Sequence, residues 1–422
     1  MSEFSSLVYA LIARWRTKQT IDNIEKNNEL KRNITRYEPS EIEGFIERDR
    51  QVGSYVISGA NANGRAKAAA SIAACSLAQG VPTVILHEGN SILQNYVTNA
   101  TSFSGNKVII AQNSSVYDPF YNRSAREICN LMANSSGSNM IINAVAQQYV
   151  MGVTDFIKSK NIPPYCEMFM SCPYSSIFDK LDESLQRGYL TDQKANSIRT
   201  QLMQGQNEMA SVQAFFSQLA YQGAGILSNN ANRKSAVNIR TAVSHDGLIM
   251  IDIGSSTNDI LLNLIVNEIK EVLSSGKKLM LVLDGISINA NDLLAKLMKS
   301  LSARCLSAIV AEDVHSMLGS DDNLFYSFVG NACKCIVFRH IGGISCNKWA
   351  EVFGYYDADK ISQNIGSNQN FQWGYGFGSQ YTINVSSNRE HIVKPEEISR
   401  MAVNEAYILD RNASELAFTT II

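Results

Sequence analysis

The stretch SYVISGANANGRAKAAASIA (54–73) holds two glycines, Gly59 and Gly64, between an apolar run and an alanine-rich one. A glycine-rich turn joining a strand to a helix offers an anion its backbone N–H groups and the positive end of the helix. It can therefore hold phosphate without any particular side chain. Positions 55–58 read as the strand and 59–64 as the turn, and the helix is predicted to begin near Arg65. The candidate phosphate contacts are Gly59, Ala60, Asn61, Ala62, Asn63, Gly64, Arg65 and Ala66. Two of them depart from what nucleotide hydrolysis uses. Arg65 keeps the charge of the expected lysine but is bulkier and planar. Ala66 stands where a Ser or Thr hydroxyl would hold Mg²⁺. A Gly/Asn-rich turn that only packs a helix on a strand is the plainer alternative.

Three carboxylates could face the same crevice. LMLVLD (279–284) ends in Asp284, at the carboxyl end of a strand, where ligands bind in wound sheets. Asp284 could hold a metal through water. The next residue, Gly285, leaves no general base at that place. Glu88 in ILHEGN and Glu312 in IVAEDVHSML also end apolar runs and are candidate catalytic or sensing groups. The Glu88 strand is expected to neighbour the phosphate-loop strand. Each of these acids could equally be a strand-end carboxylate facing water.

The elements that position these residues repeat along the chain. Short apolar runs lie at 55–59, 83–88, 107–112, 248–254, 279–284, 308–313 and 335–340. Stretches of helical period separate them. This alternation predicts an α/β fold, a wound and mainly parallel sheet covered on both faces. One crossover helix is predicted to be capped by Ser256 and Asp259, with Ile260, Leu264, Ile265, Ile269 and Val272 on one face and Gly276 closing it. Residues 120–240 show no strand pattern and read as an all-α insertion. The expected organisation is a helical appendage (1–50), a nucleotide-binding-type domain (51–119 with 241–422), and the insertion (120–240). NFQWGYGFGSQY (370–381) reads as a Gly-aromatic loop.

The bulk numbers exclude little beyond extremes. Of 422 residues, 45% are hydrophobic and 18% charged, with a net charge of −2, so any contact with DNA needs a local basic patch. The eight cysteines lack two well-spaced ligand pairs; they read as structural thiols of a reducing compartment. LVYALIA at Leu7 is too short to span a bilayer, which needs about 20 residues. It reads as a helix face beside Arg14, Trp15 and Arg16, and a cytoplasmic location is expected.

Taken in order, the segments resemble the coupling-protein branch of the FtsK–HerA superfamily, the RecA-like motors of conjugation and type IV secretion. SYVISGANANGRAK occupies the phosphate-loop place, and YDPFYNRSAREI (117–128) is similar to the segment after the third strand. IDIGSSTNDILLNLIVNEI (251–269) and LMLVLDGI (279–286) match the strand-helix-acid unit. IVAEDVHSMLG carries Glu312 in place of a sensor glutamine. GNACKCIVFRH and IVKPEEISRMAVNEAYILD resemble the late strand and closing hairpin. The resemblance implies a RecA-like fold over residues 50–410 and a ring-forming oligomer. It also implies ATP or ADP with Mg²⁺ between subunits, and DNA or secretion-system proteins as partners. Arg339 and Arg240 are candidate inter-subunit fingers, or surface ion pairs. The departures at Arg65, Ala66, Gly285 and Glu312 argue against efficient hydrolysis, and no N-terminal membrane anchor is expected. A hydrolysis-impaired scaffold or adaptor follows from these changes; an active translocation motor and a nucleotide-free interaction module are the alternatives.

Overall fold

The computed structural model describes residues 2–48, 51–99, 107–111, 113–136, 142–244, 246–254, 259–301, 305–367 and 379–422. Two compact units divide the chain: Glu41–Cys335, and Met1–Ser40 together with Ile336–Ile422. Strands are numbered along the chain. β1 (Ile34–Arg36) belongs to the second unit. The larger unit contains β2 (Ser54–Ser58), β3 (Thr83–His87), β4 (Lys107–Ile110), β5 (Leu248–Asp252), β6 (Met280–Asp284) and β7 (Leu306–Ala311). β8 (Ala332–Phe338) crosses the boundary. β9 (Tyr355–Ser367), β10 (Ser379–His391), β11 (Glu405–Asp410) and β12 (Glu415–Thr420) belong to the second unit.

In the larger unit the strand order runs β2-β7-β6-β3-β5-β4, and each of these pairings is parallel. β3, β5 and β6 are buried at every position. Such runs of Ile, Leu, Val and Met suit a sheet covered on both faces, where alternation would expose apolar side chains. All seven predicted runs coincide with strands β2 to β8. The helix Asp259–Ser274 buries Ile260, Leu264, Ile265, Ile269 and Val272, the face expected from the sequence. Burial of each such side chain stabilises by about 1.5–3 kcal/mol. Ser256, the expected cap, lies outside the described residues.

Between β4 and β5 the chain is helical, from Ala125–Ser135 through Ile239–Ser244. The YDPFYNR segment joins these helices to the sheet-covering helix Asp259–Ser274. Arg123 forms ion pairs with Glu268 at 2.6 Å and Glu271 at 2.8 Å, and the Tyr117 hydroxyl donates to Glu268 at 2.8 Å. Asp118 is fully buried and accepts from the N–H of Phe120 at 3.0 Å, the N–H of Cys166 at 2.8 Å, and the Ser228 hydroxyl. Removing one member of such a buried network leaves a desolvated charge, at about 3–5 kcal/mol.

In the second unit, β12 pairs antiparallel with β11 and parallel with β1. β9 and β10 form an antiparallel ladder of thirteen-residue strands, which the sequence did not suggest. The N-terminal helix Ser2–Arg32 meets this unit through an ion pair between Lys31 and Asp359 at 2.8 Å and another between Arg32 and Glu397 at 2.5 Å. Most of the Gly-aromatic stretch, positions 370–378, lies outside the described residues. Among the described residues no helix is long and apolar enough to cross a membrane.

Candidate phosphate site

The loop after β2 is shorter than its sequence suggests. The helix begins at Ala62, one turn before the expected start at Arg65, and runs to Ala78. Asn61 is its N-cap, and its side-chain oxygen accepts from the Gly64 N–H at 2.8 Å. Asparagine is among the best residues for this position because it satisfies an otherwise unpaired helix N–H. The turn is thereby reduced to Gly59 and Ala60, while Ala62, Asn63 and Gly64 form the first helical turn.

Gly59 has a φ of 122°, a conformation that glycine adopts at no steric cost. Its N–H donates to the carbonyls of Ala311 at 3.2 Å and Glu312 at 2.9 Å, which fastens the loop to the end of β7. Its carbonyl accepts from the Arg65 guanidinium, which folds back across the turn. Burial lowers the Arg65 pKa from its ordinary value, and the charges of Asp284 and Glu312 oppose that shift. Arg65 is therefore a cation bonded to a main-chain carbonyl and acted on by the charges of two carboxylates.

Strand order decides which acids can reach the loop. β7 adjoins β2, and β6 lies beyond β7, so Glu312 ends a strand beside the loop strand and Asp284 ends the next one on the same side. The expectation for Glu88 is corrected. β3 does not neighbour β2; β7 and β6 stand between them, which places Glu88 three strand spacings away, about 14 Å. The sequence reading took the second strand in the chain for the neighbour of the first, but the winding inserts two later strands.

Asp284 is buried, and Asn90 Nδ2 donates to its carboxylate at 2.5 Å. Burial raises its pKa, against the opposing effects of the Asn90 hydrogen bond and the Arg65 charge. Asn90 is fully engaged, because its Oδ1 also accepts from the Leu93 N–H at 3.0 Å at the start of the helix Ser91–Asn99. Gly285 has a φ of 77°, and its N–H donates to Val310 at 2.9 Å. A glutamate at this position would need a left-handed backbone.

A row of polar residues along the carboxyl edge went unnoticed in the sequence. His87 pairs in register with Asp252 on one side and Asp284 on the other. His87 is buried; its Nδ1 accepts from the Asn90 N–H at 3.0 Å. Burial lowers its pKa, and the Asp252 charge acts the other way. Asp252 accepts from the N–H groups of Gly89 and Gly254, each at 2.9 Å. The signal was available: TVILH, LIMID and MLVLD each close an apolar run with one polar residue.

Arg240 pairs with Glu127 at 2.6 Å on the surface of the helical stretch. Arg339 follows β8 and belongs to the other compact unit.

Magnesium does not fit these residues. Ala66 is fully buried and offers no oxygen, while Asp284 is bonded to Asn90 and faces the Arg65 charge. A phosphate fits better, since it would meet the first turn of a helix and a guanidinium. It would compete with Asn61 for the Gly64 N–H.

These features define a wound α/β protein with a glycine turn at its first strand-helix junction and an acid-tipped strand two places away. No family model matches the chain, and no curated protein matches it. Among solved structures, it is similar to the bacterial conjugative coupling protein TrwBdeltaN70 in its unbound monoclinic form. That alignment has a TM-score of 0.45 and 10% identity, covering 90% of this chain and 91% of that one. With TrwB in complex with the ATP analogue ADPNP the TM-score is 0.46 at 11% identity, over 91% and 92% of the two chains. With VirB4 of Thermoanaerobacter pseudethanolicus it is 0.42 at 11% identity, over 89% and 92%.

Proposed function

We propose that this chain is a coupling-protein-like protein of RecA type that holds the phosphates of ATP or ADP without metal and is impaired in hydrolysis. Its role is that of a scaffold or adaptor, within an oligomer, in a secretion, conjugation or mobile-element system at the cytoplasmic side. The order of the sequence segments supports the kinship. The observation that carries the chemistry is the position of Arg65, bonded to the Gly59 carbonyl within the electrostatic reach of Asp284 and Glu312. A guanidinium there keeps the positive charge that a hydrolase takes from lysine, while Ala66 beside it offers no hydroxyl to hold a metal. No carboxylate follows Asp284 to act as base, because Gly285 occupies that place.

Phosphate release from ATP, measured with Mg²⁺ and with DNA present, tests the impairment. The expected rate is that of buffer alone. Release that scales with protein concentration and is stimulated by DNA restores the motor reading. The interaction-module reading draws on the Asn61 cap, which already occupies the Gly64 N–H. It gains if neither ATP nor ADP shifts the melting temperature.

A further inference from the structure

At the opposite end of the same strands lies a cavity of about 1340 Å³, between the starts of β2, β6 and β7. Five-residue strands put it about 17 Å from the carboxyl edge. Four lysines line it: Lys270 from the helix Asp259–Ser274, Lys277 and Lys278 from the turn before β6, and Lys296 from the helix Asp292–Leu301. Among the described residues no Asp or Glu lines it, and none of these four lysines takes part in a salt bridge. In a chain with a net charge of −2, this is a local concentration of one sign.

A plainer explanation exists for lysines at such a place. Helices in a wound sheet run opposite to the strands, so their negative ends point toward this edge. Three of them, Ala62–Ala78, Asp259–Ser274 and Asp292–Leu301, end at the cavity. Each terminus carries roughly half a negative charge, so three leave the four lysines in clear excess. The crowding is also visible in Lys270, whose pKa is lowered by burial first and by Lys296 second.

We infer that this cavity binds a small, multiply phosphorylated anion. Lysine engages phosphate as a point charge, and the hydroxyl of Ser274, exposed beside the lysines, adds a donor. A nucleic-acid strand is disfavoured because, among the described residues that line the site, the one aromatic side chain, Phe328, is only 2% exposed. Base stacking needs an exposed ring. This inference does not rest on the phosphate loop.

The probe is inorganic tripolyphosphate, titrated calorimetrically into the full chain carrying Gly64→Asp, which blocks the loop. One saturable site is expected, weakening as salt is added. Lys277→Glu with Lys278→Glu should weaken it by about tenfold or more through charge reversal. If that pair misfolds by circular dichroism, Lys277→Gln with Lys278→Gln replaces it and should still weaken binding. The inference fails if tripolyphosphate does not bind, if the lysine variants bind it unchanged, or if oligothymidylate binds more tightly than tripolyphosphate.

Discussion

The side chain of Asn61 accepts a hydrogen bond from the Gly64 N–H at 2.8 Å, so the helix supplies its own ligand at the place where a phosphate would sit. The carboxamide is a neutral acceptor that an anion can displace. A charged phosphate forms the stronger bond to an N–H, and the end of the helix favours its charge. On the proposed function, the loop is a site with an internal competitor.

Changing that competitor should separate stability from binding. Asn61→Ala removes the cap and is expected to cost about 1 kcal/mol in chemical denaturation. The same change frees the Gly64 N–H, so ADP should bind more tightly. Asn61→Asp keeps the cap and suits the helix dipole, but repels phosphate, so ADP should bind more weakly in a chain of equal or greater stability. If both variants bind ADP like the parent, Gly64 is not a phosphate contact.

The backbone at Gly285 makes a restored base expensive. A Cβ there would meet nothing within 4 Å, so crowding at the backbone is not the obstacle; the φ of +77° is. Gly285→Glu is expected to lose about 1–2 kcal/mol in urea denaturation. Gly285→Asn should lose less, because asparagine tolerates the left-handed region. Neither should raise phosphate release above background. Full stability in Gly285→Glu would show that the turn relaxes.

The buried carboxyl of Asp118 gives the protein a distinctive pH response. Burial pushes its pKa up to about 6 from 3.8, while hydrogen bonds from Ser228, Cys166 and Phe120 work against the rise. A carboxyl whose folded pKa is raised stabilises the native state below its unfolded pKa, and this contribution is lost as pH rises through the folded value. The window is therefore about pH 4 to 6, and the loss is about 3 kcal/mol. Glu127, lowered to about 2, acts in a separate and more acid window. Denaturation at several pH values should show a slope between pH 4 and 6 that flattens in Asp118→Asn. An unchanged slope would place the titrating group elsewhere.

The strands of the larger unit were legible because their burial is two-sided. VIL and LVL are buried on both faces and are apolar throughout, each closed by one polar residue. The ladder of β9 and β10 was hidden because YYDADKISQNIGS mixes polar and apolar residues without such a run. Strand order was harder. It depends on which crossover passes over which strand, and nothing local in ILHEGN shows that two later strands separate it from the loop. The one-turn error at the start of the helix had a readable cause: Asn61, three residues before Gly64, is a cap. The His87 row is hard to read from sequence because Glu88, one residue beyond the buried position, is the more conspicuous candidate acid.

The central claim is that main-chain amides and Arg65 hold phosphate without metal. Calorimetric titration of ADP, run once in EDTA and once in Mg²⁺, tests it most directly. The account expects equal affinity in both conditions, and loss of binding in Gly64→Asp. Binding that appears only with Mg²⁺, or that survives Gly64→Asp, would contradict it.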